Sequence, residues 1–168
     1  MSYFVLNPNC IFRVSQGIDQ GLLRELLDGY TYRSDYAFEN NSALYEIAIG
    51  VVADEREDCV EDTAILNVTE EGVRIVGSDS ASLMRGFLTM LSRIEYDRVT
   101  DSFRIPCGRV EERPQMAFRA VHLCLFPETP LRFLHKCIRV CGLAKYSHIV
   151  LEFWGMLTLR SSQSFWSF

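Results

Sequence analysis

The residues of this chain best equipped for chemistry fall in its last third. Arg119 stands at the entrance of an apolar run, Ala120 to Phe126, in which Val121, Leu123 and Leu125 alternate with His122, Cys124 and Phe126. A guanidinium there is costly to bury unless its planar five-donor fork meets a carboxylate or a set of hydroxyl groups. Glu152 and Trp154 lie at the end of a second apolar run, His148 to Trp154. Glu152 could satisfy Arg119 in a structural ion pair between neighbouring strands, and a bound ligand could do the same. Trp154 offers a stacking surface for a ring, or ordinary core packing.

Other candidate groups point away from catalysis. Glu111 and Glu112 are adjacent, and adjacent residues of an extended segment face opposite ways, so they do not form an acid–base pair. The acidic run Asp54 to Asp62 lacks the glycine and alternating ligands of a calcium loop and reads as solvated surface. Gly77-Ser78-Asp79-Ser80 precedes a helical pattern, where an anion could bind, but a turn with an N-cap is the simpler reading. Six cysteines (10, 59, 107, 124, 137 and 141) include no C-x-x-C pair, and His122, His135 and His148 are not spaced to form a ligand cluster with them. Cys137 and Cys141 lie one helical turn apart, where a disulfide would be strained. The expectation is buried, reduced thiols acting as small hydrophobes, with no metal site and no cofactor.

These residues need elements to position them. Cys10 to Ser15 reads as a strand. Asp19 caps a helix with Leu22, Leu23, Leu26, Leu27 and Tyr30 on one face, ended by Gly29. Tyr32 to Ser42 reads as loop and Leu44 to Ala53 as a strand. Ala64 to Thr69 and Val73 to Val76 form a hairpin in which Leu66 and Val68 face the same way as Val73 and Ile75, with Gly72 supplying backbone freedom. A helix over Ala81 to Ile94 buries Leu83, Met84, Phe87, Leu88, Leu91 and Ile94, and Gly86 within it implies close backbone packing. Ile105 to Pro114 reads as a polar connector. The strand ending at Phe126 follows, largely apolar on both sides and so expected to be covered on both. Thr129-Pro130 caps a helix to about Tyr146 with Leu134, Cys137, Ile138 and Cys141 inward, and the strand His148 to Trp154 completes a βαβ unit with parallel strands. The fold class is α/β (α+β): a small β-sheet with helices packed on one face, then an incomplete βαβ unit of a TIM-type barrel.

The 168 residues, 48% hydrophobic and 23% charged, suit one ordinary domain, or a small domain and a fragment. A net charge of −5 without a Lys/Arg cluster argues against a nucleic-acid partner. No run of 18 or more apolar residues is present, so no membrane span is expected. The first residues, MSYFVLNPNC, lack the features of a signal peptide, and the chain as written reads as cytoplasmic.

Two adjoining segments, IVGSDSASLMRGFLTMLSRI and IPCGRVEERPQMAFRAVHLCLF, carry a resemblance. Together they resemble the junction in family 20 glycoside hydrolases, the β-N-acetylhexosaminidases, where a small α/β domain passes into the catalytic barrel. The likeness spans roughly Ala64 to Trp154. It implies an α/β domain over 1–113, the first βαβ unit of a (β/α)8 barrel over 114–157, and an aberrant or unstructured tail over 158–168, in a truncated or frame-shifted chain. It implies hydrolysis of terminal N-acetylhexosamines with the substrate's own acetamido group as nucleophile, assisted by an Asp that orients it and a Glu general acid. That pair follows barrel strand four in the family, so by position it is absent here and the chain alone is expected to be inactive. Arg119 matches the strand-one arginine that grips the sugar's outer hydroxyls. Glu152 and Trp154 fall near the C-terminal end of a barrel strand, where active-site groups gather. The implied partner is an N-acetylhexosamine-containing glycan, and the parent enzyme would be secreted or periplasmic.

The match has departures. Ala120 stands where the family has glycine, Cys124 where it has Asp, Phe126-Pro127-Glu128 for Ser-Arg-His, and Leu151 to Trp154 for a strand end bearing His and Asp. They point to a divergent branch. Two other readings remain at this stage: a non-catalytic carbohydrate- or protein-binding α/β module, and another sugar hydrolase with the same accessory domain, such as an α-glucuronidase or a family 84 hexosaminidase. The connector and Arg119 favour family 20.

Overall fold

The structure is a computed structural model that describes residues 2–41, 44–51 and 59–155. Most of the acidic run (54–58) and the tail expected at 158–168 lie outside the described residues. The fold is mixed α/β, and the chain divides into two compact units, Met1–Pro114 and Gln115–Phe168.

The first unit carries a six-stranded sheet in the order β3-β2-β4-β6-β5-β9: β2 (Ile11–Ser15), β3 (Ala37–Asn41), β4 (Glu46–Gly50), β5 (Ala64–Val68), β6 (Gly72–Gly77) and β9 (Gly108–Glu112). β2 and β3 run parallel, joined through α1 (Gln20–Thr31), and every other pair is antiparallel. A smaller sheet orders β1 (Tyr3–Leu6), β8 (Ser102–Pro106) and β7 (Glu95–Asp97) as β1-β8-β7.

Register explains the core. Phe12 faces Ile49, Val14 faces Ile47, and these two isoleucines face Val73 and Ile75. Ile75 and Val73 in turn face Leu66 and Val68, as alternation along the hairpin predicts. Period-two geometry therefore gathers eight apolar side chains, all buried, on one face of the sheet. Helix α2 (Ser80–Leu91) packs there, burying Leu83, Phe87, Met90 and Leu91. Helix α1 lies on the same side: its Arg24 guanidinium sits 5.3 Å from the Phe38 ring centroid, and Phe38 stacks on Phe12 at 4.8 Å. Both helices thus cover one face.

Gly86 has the packing role its mid-helix position suggests. A Cβ there would sit 2.6 Å from Ile75 Cγ2 and 3.0 Å from the Ala64 Cβ, so α2 rests nearly backbone-to-sheet. Gly72 serves close approach too, rather than freedom in the turn: its Cβ would meet the Ile49 carbonyl oxygen of the neighbouring strand at 2.5 Å.

Polar groups on α2 are tied to their surroundings. Buried Arg85 donates to Asp62 Oδ1 at 2.5 Å, to the Asp62 carbonyl at 3.1 Å and to Ser82 Oγ at 2.9 Å. A guanidinium this buried needs such partners to offset its desolvation. Thr89 donates to Glu112 on β9 at 2.9 Å, while Glu111 points the other way, so Glu111-Glu112 is a structural position and no paired-carboxylate site.

Several expectations are corrected. Tyr32 to Ser42 contains β3, which pairs with β2 and draws Phe38 onto Phe12. The supposed connector Ile105 to Pro114 contributes the end of β8 and all of β9, an edge strand paired with β5. Helix α1 ends beyond Gly29, at Tyr32, whose φ of 55° and amide bond to the Asp28 carbonyl close its last turn. Leu22 and Tyr30 of its expected face are exposed, while Leu23, Leu27 and Thr31 are buried. Helix α2 spans Ser80–Leu91 rather than Ala81 to Ile94.

The second unit is a βαβ motif: β10 (Ala120–Leu125), α3 (Leu131–Leu143) and β11 (His148–Phe153), with parallel strands in a two-stranded sheet. Pro130 is the N-cap of α3 without a side-chain bond. Thr129 instead turns back, its hydroxyl accepting the Phe126 amide at 2.9 Å, so the expected Thr129 cap is not formed. No closed barrel is present among the described residues. The two-sided cover expected of β10 is absent too: Leu125 and Cys141 are the buried apolar positions among the unit's described residues, and Ile138, Val150, Leu151 and Phe153 are exposed.

Candidate functional site

The second unit brings the chemically competent side chains onto two paired parallel strands. Ala120 pairs with His148, Val121 with Ile149, and so on to Leu125 with Phe153. Partners in a parallel ladder share a face. Val121, Leu123 and Leu125 therefore stand with Ile149, Leu151 and Phe153, and His122 and Cys124 stand with Val150 and Glu152.

On that second face three groups converge. Glu152 Oε2 lies 3.0 Å from His122 Nε2 and accepts a hydrogen bond from the Cys124 thiol at 3.4 Å. The hydrogen bond to Glu152, then desolvation, then the carboxylate's charge push the Cys124 thiol above its ordinary pKa. His122 and Cys124 are exposed and Glu152 is half-buried, so the cluster is open to solvent. Each residue offers one ligand atom, and these atoms all lie within 4.8 Å of one another. The spacing of the cysteines and histidines does not suggest this grouping, because it needs an i, i+2 pair on one strand and a carboxylate delivered by a crossover.

All six cysteines are free thiols, but only Cys10 and Cys141 are buried, and Cys124 is exposed. Burial pushes the Cys10 thiol up, against a weaker lowering by a backbone hydrogen bond at Asn7. It fits the small-hydrophobe expectation, and Cys124 does not.

Arg119 lies apart from this cluster. Its Nε donates to the Lys145 carbonyl at 3.1 Å, and Nη1 donates to the carbonyls of Met116 and Ala117. Among the described residues it meets no carboxylate, and the structural pair expected with Glu152 is not made, because Glu152 is turned to His122. Arg119 sits opposite Ser147, just before Ala120 and His148, and Glu152 lies five residues further along β11. At about 3.3 Å per residue that is about 16 Å, too far for both to contact one sugar hydroxyl. Trp154 is 54% exposed, and its amide donates to the Leu125 carbonyl at 2.8 Å. The three residues singled out in the sequence do not form one constellation.

In the first unit, the turn before α2 is occupied by its own cap. Asp79 accepts from the Ser82 amide at 2.7 Å, the Ser82 hydroxyl at 3.1 Å and the Ser78 hydroxyl at 3.2 Å. A carboxylate already fills the place where an anion would sit. Among the described residues no helix is long and apolar enough to cross a membrane.

No protein-family model matches the chain, and no curated protein matches it. Solved structures do. The β-N-acetylhexosaminidase of Streptomyces plicatus, solved with Thio-NAglucal, superposes with a TM-score of 0.68 at 15% identity, covering 89% of this chain and 31% of its own. The family 20 enzyme of Streptomyces coelicolor A3(2) gives 0.65 at 16% identity with the same coverage. A family 20 exo-β-N-acetylglucosaminidase of Vibrio harveyi, in complex with N-acetylglucosamine, gives 0.66 at 14% identity, covering 90% of this chain and 23% of that one. The chain spans less than a third of the length of these structures. At such identities the likeness is one of fold, and it establishes that this chain has the fold of a portion of the family 20 hexosaminidases.

Proposed function

We propose that this chain corresponds to the small α/β domain (1–113) and the first barrel unit (114–157) of a family 20-type β-N-acetylhexosaminidase acting on glycans that end in N-acetylhexosamine. The observation that carries this reading is that the superposition covers 89% of the chain, more than either unit alone could supply. The parallel β10-α3-β11 unit is the kind of element from which a (β/α)8 barrel is built.

In this reading Arg119 is the sugar-gripping residue. Its Nε and Nη1 are held by the carbonyls of Lys145, Met116 and Ala117, which fix the plane of the guanidinium and orient the Nη2 donors. Trp154, exposed near the C-terminal end of β11, would serve as a stacking surface and Glu152 beside it would accept from a hydroxyl, both on a different sugar unit from the one Arg119 grips, since about 16 Å of strand separates Glu152 from Arg119. The acetamido-assisted mechanism also needs the Asp that orients the nucleophile and the Glu that protonates the leaving oxygen. In the family that pair belongs to a later barrel strand, so the 168-residue chain by itself is inactive in this reading.

Two measurements test it. Reading the transcript beyond the codon for Met156 in all three frames should reveal further barrel strands and an adjacent Asp-Glu pair; closure of every frame would sink the proposal. The isolated chain should not hydrolyse aryl N-acetyl-β-hexosaminides, and measurable turnover abolished by Arg119→Ala would overturn the expectation that the chain alone is inactive.

A further inference from the structure

We propose that His122, Cys124 and Glu152 form a binding site for a zinc-class divalent cation on the open face of β10 and β11. This goes beyond the glycosidase reading and shares one residue with it, Glu152, whose role differs between the two.

The donor set is one imidazole nitrogen, one thiol sulfur and one carboxylate oxygen. That combination suits the borderline-soft ions Zn²⁺ and Co²⁺, whereas Ca²⁺ and Mg²⁺ require oxygen ligands. Spacing agrees with chemistry. Bond lengths of about 2.0–2.3 Å in a tetrahedral zinc site place ligand atoms about 3.3–3.6 Å apart. Here Nε2 to Oε2 is 3.0 Å and Sγ to Oε2 is 3.4 Å, with no ligand atom more than 4.8 Å from another. The ligands come from strand rather than loop: His122 and Cys124 alternate on β10, and Glu152 is the direct ladder partner of Cys124 on β11. Backbone pairing thus fixes the three Cα positions, and small χ rotations bring the ligand atoms around an ion. Two of the three residues are exposed, which leaves a fourth position for water, the arrangement of three protein ligands plus an open site. With an ion in place, Glu152 is its ligand and no longer a hydroxyl acceptor.

The test is cobalt titration of the full chain, reduced and stripped with chelator. Expected is a single equivalent of Co²⁺ producing d–d absorption and a thiolate-to-cobalt charge-transfer band, displaced by Zn²⁺ and unaffected by excess Mg²⁺ or Ca²⁺. Cys124→Ser should abolish the charge-transfer band. His122→Ala and Glu152→Gln should each weaken binding at least ~10-fold, the loss seen even for residues that only support a ligand. The double variant Cys137→Ser/Cys141→Ser should keep the band. No charge-transfer band in the parent chain, a band that survives Cys124→Ser, or a band lost with Cys137 and Cys141 would each overturn the site. Because His122 and Cys124 are exposed, these replacements leave the buried positions untouched, and far-UV circular dichroism of each variant checks it.

Discussion

Arg119 and Ser147 hold each other in both directions: the Arg119 amide donates to Ser147 Oγ at 2.8 Å, and the Ser147 amide donates back to the Arg119 carbonyl at 2.8 Å. This reciprocal pair sits just before the first rung of the parallel ladder, Ala120 with His148. It closes the loop that follows α3 onto the entrance of β10. Ser147→Ala removes the acceptor of the Arg119 amide but leaves the backbone bond in place. A single hydrogen bond of this kind contributes about 1 kcal/mol. The expected outcome is amide exchange at Arg119 faster by about five- to tenfold, with the β10–β11 ladder still protected, read by hydrogen exchange in NMR. Arg119→Ala keeps those backbone bonds to Ser147 but should act more widely, because it releases the carbonyls of Met116, Ala117 and Lys145. Unchanged exchange from Lys145 to His148 in that variant would mean the guanidinium has no structural role.

Gly86 makes the opposite kind of prediction, one in which helix propensity and packing compete. Alanine in mid-helix gains about 1 kcal/mol over glycine. The added methyl, however, would lie 2.6 Å from Ile75 Cγ2. Ile75 is fully buried on a central strand. Overpacking of this kind costs about 1–3 kcal/mol, so Gly86→Ala should destabilise the first unit on balance, by up to about 2 kcal/mol in urea unfolding. In an Ile75→Ala background the same substitution should become neutral or stabilising, a coupling between touching residues that a double-mutant cycle measures. Additive effects would show that the helix does not sit against Ile75.

The sequence was legible where one chain segment carries its own instructions. Leu66, Val68, Val73 and Ile75 alternate, and their register followed; Asp19 and Asp79 precede apolar stripes, and both are N-caps. The strand–helix–strand pattern of the second unit was readable for the same reason. Not read in the sequence were β1, β3, β7, β8 and β9; of these, β3, β7 and β9, with the sequences AFENN, EYD and GRVEE, are polar and lie at sheet edges. Their pairing comes from a neighbour, not from their own periodicity. The His122–Cys124–Glu152 cluster was half visible. The i, i+2 pair is in the sequence, but Glu152 joins it only through a register that the crossover determines.

Asp79 gives the pH-dependent prediction. Burial raises its pKa, and hydrogen bonds from the Ser82 amide, the Ser82 and Ser78 hydroxyls and the Ala81 amide outweigh that effect, leaving it below 3.8. A carboxyl whose pKa is depressed on folding adds stability that is fully present above its unfolded pKa and is lost as pH falls through the folded one. At neutral pH, Asp79→Ala should cost about 1 kcal/mol, the usual worth of an N-cap. Asp79→Asn should cost less, because the amide oxygen still caps, and it should remove the acid-sensitive part. The gap between wild type and Asp79→Asn in urea midpoint should therefore hold from pH 7 to about 5 and narrow below about 4. A gap that widens on acidification would contradict the assignment.

The two units should differ in their resistance to protease. The first encloses a core in which Phe12, Val14, Leu23, Leu27, Ile47, Ile49, Val73, Ile75, Leu83, Phe87 and Leu91 have no accessible surface. Among the described residues of the second, only Leu125 and Cys141 of the apolar positions are buried, while Leu131, Phe133, Val140, Val150 and Phe153 are exposed. Local opening is governed by how much apolar surface a segment buries, so cleavage should concentrate in the second unit. Limited digestion is expected to leave a stable fragment ending near Pro114, the boundary between the units. Binding of a hydrophobic dye should fall when residues 115–168 are removed, since the exposed apolar side chains go with them. Equal resistance of both units would favour a finished binding module over the portion of a hexosaminidase proposed above. In that event the aromatic side chains Phe153 and Trp154 would need a different role, and titration with N-acetylglucosamine while monitoring tryptophan fluorescence would show whether a sugar supplies it.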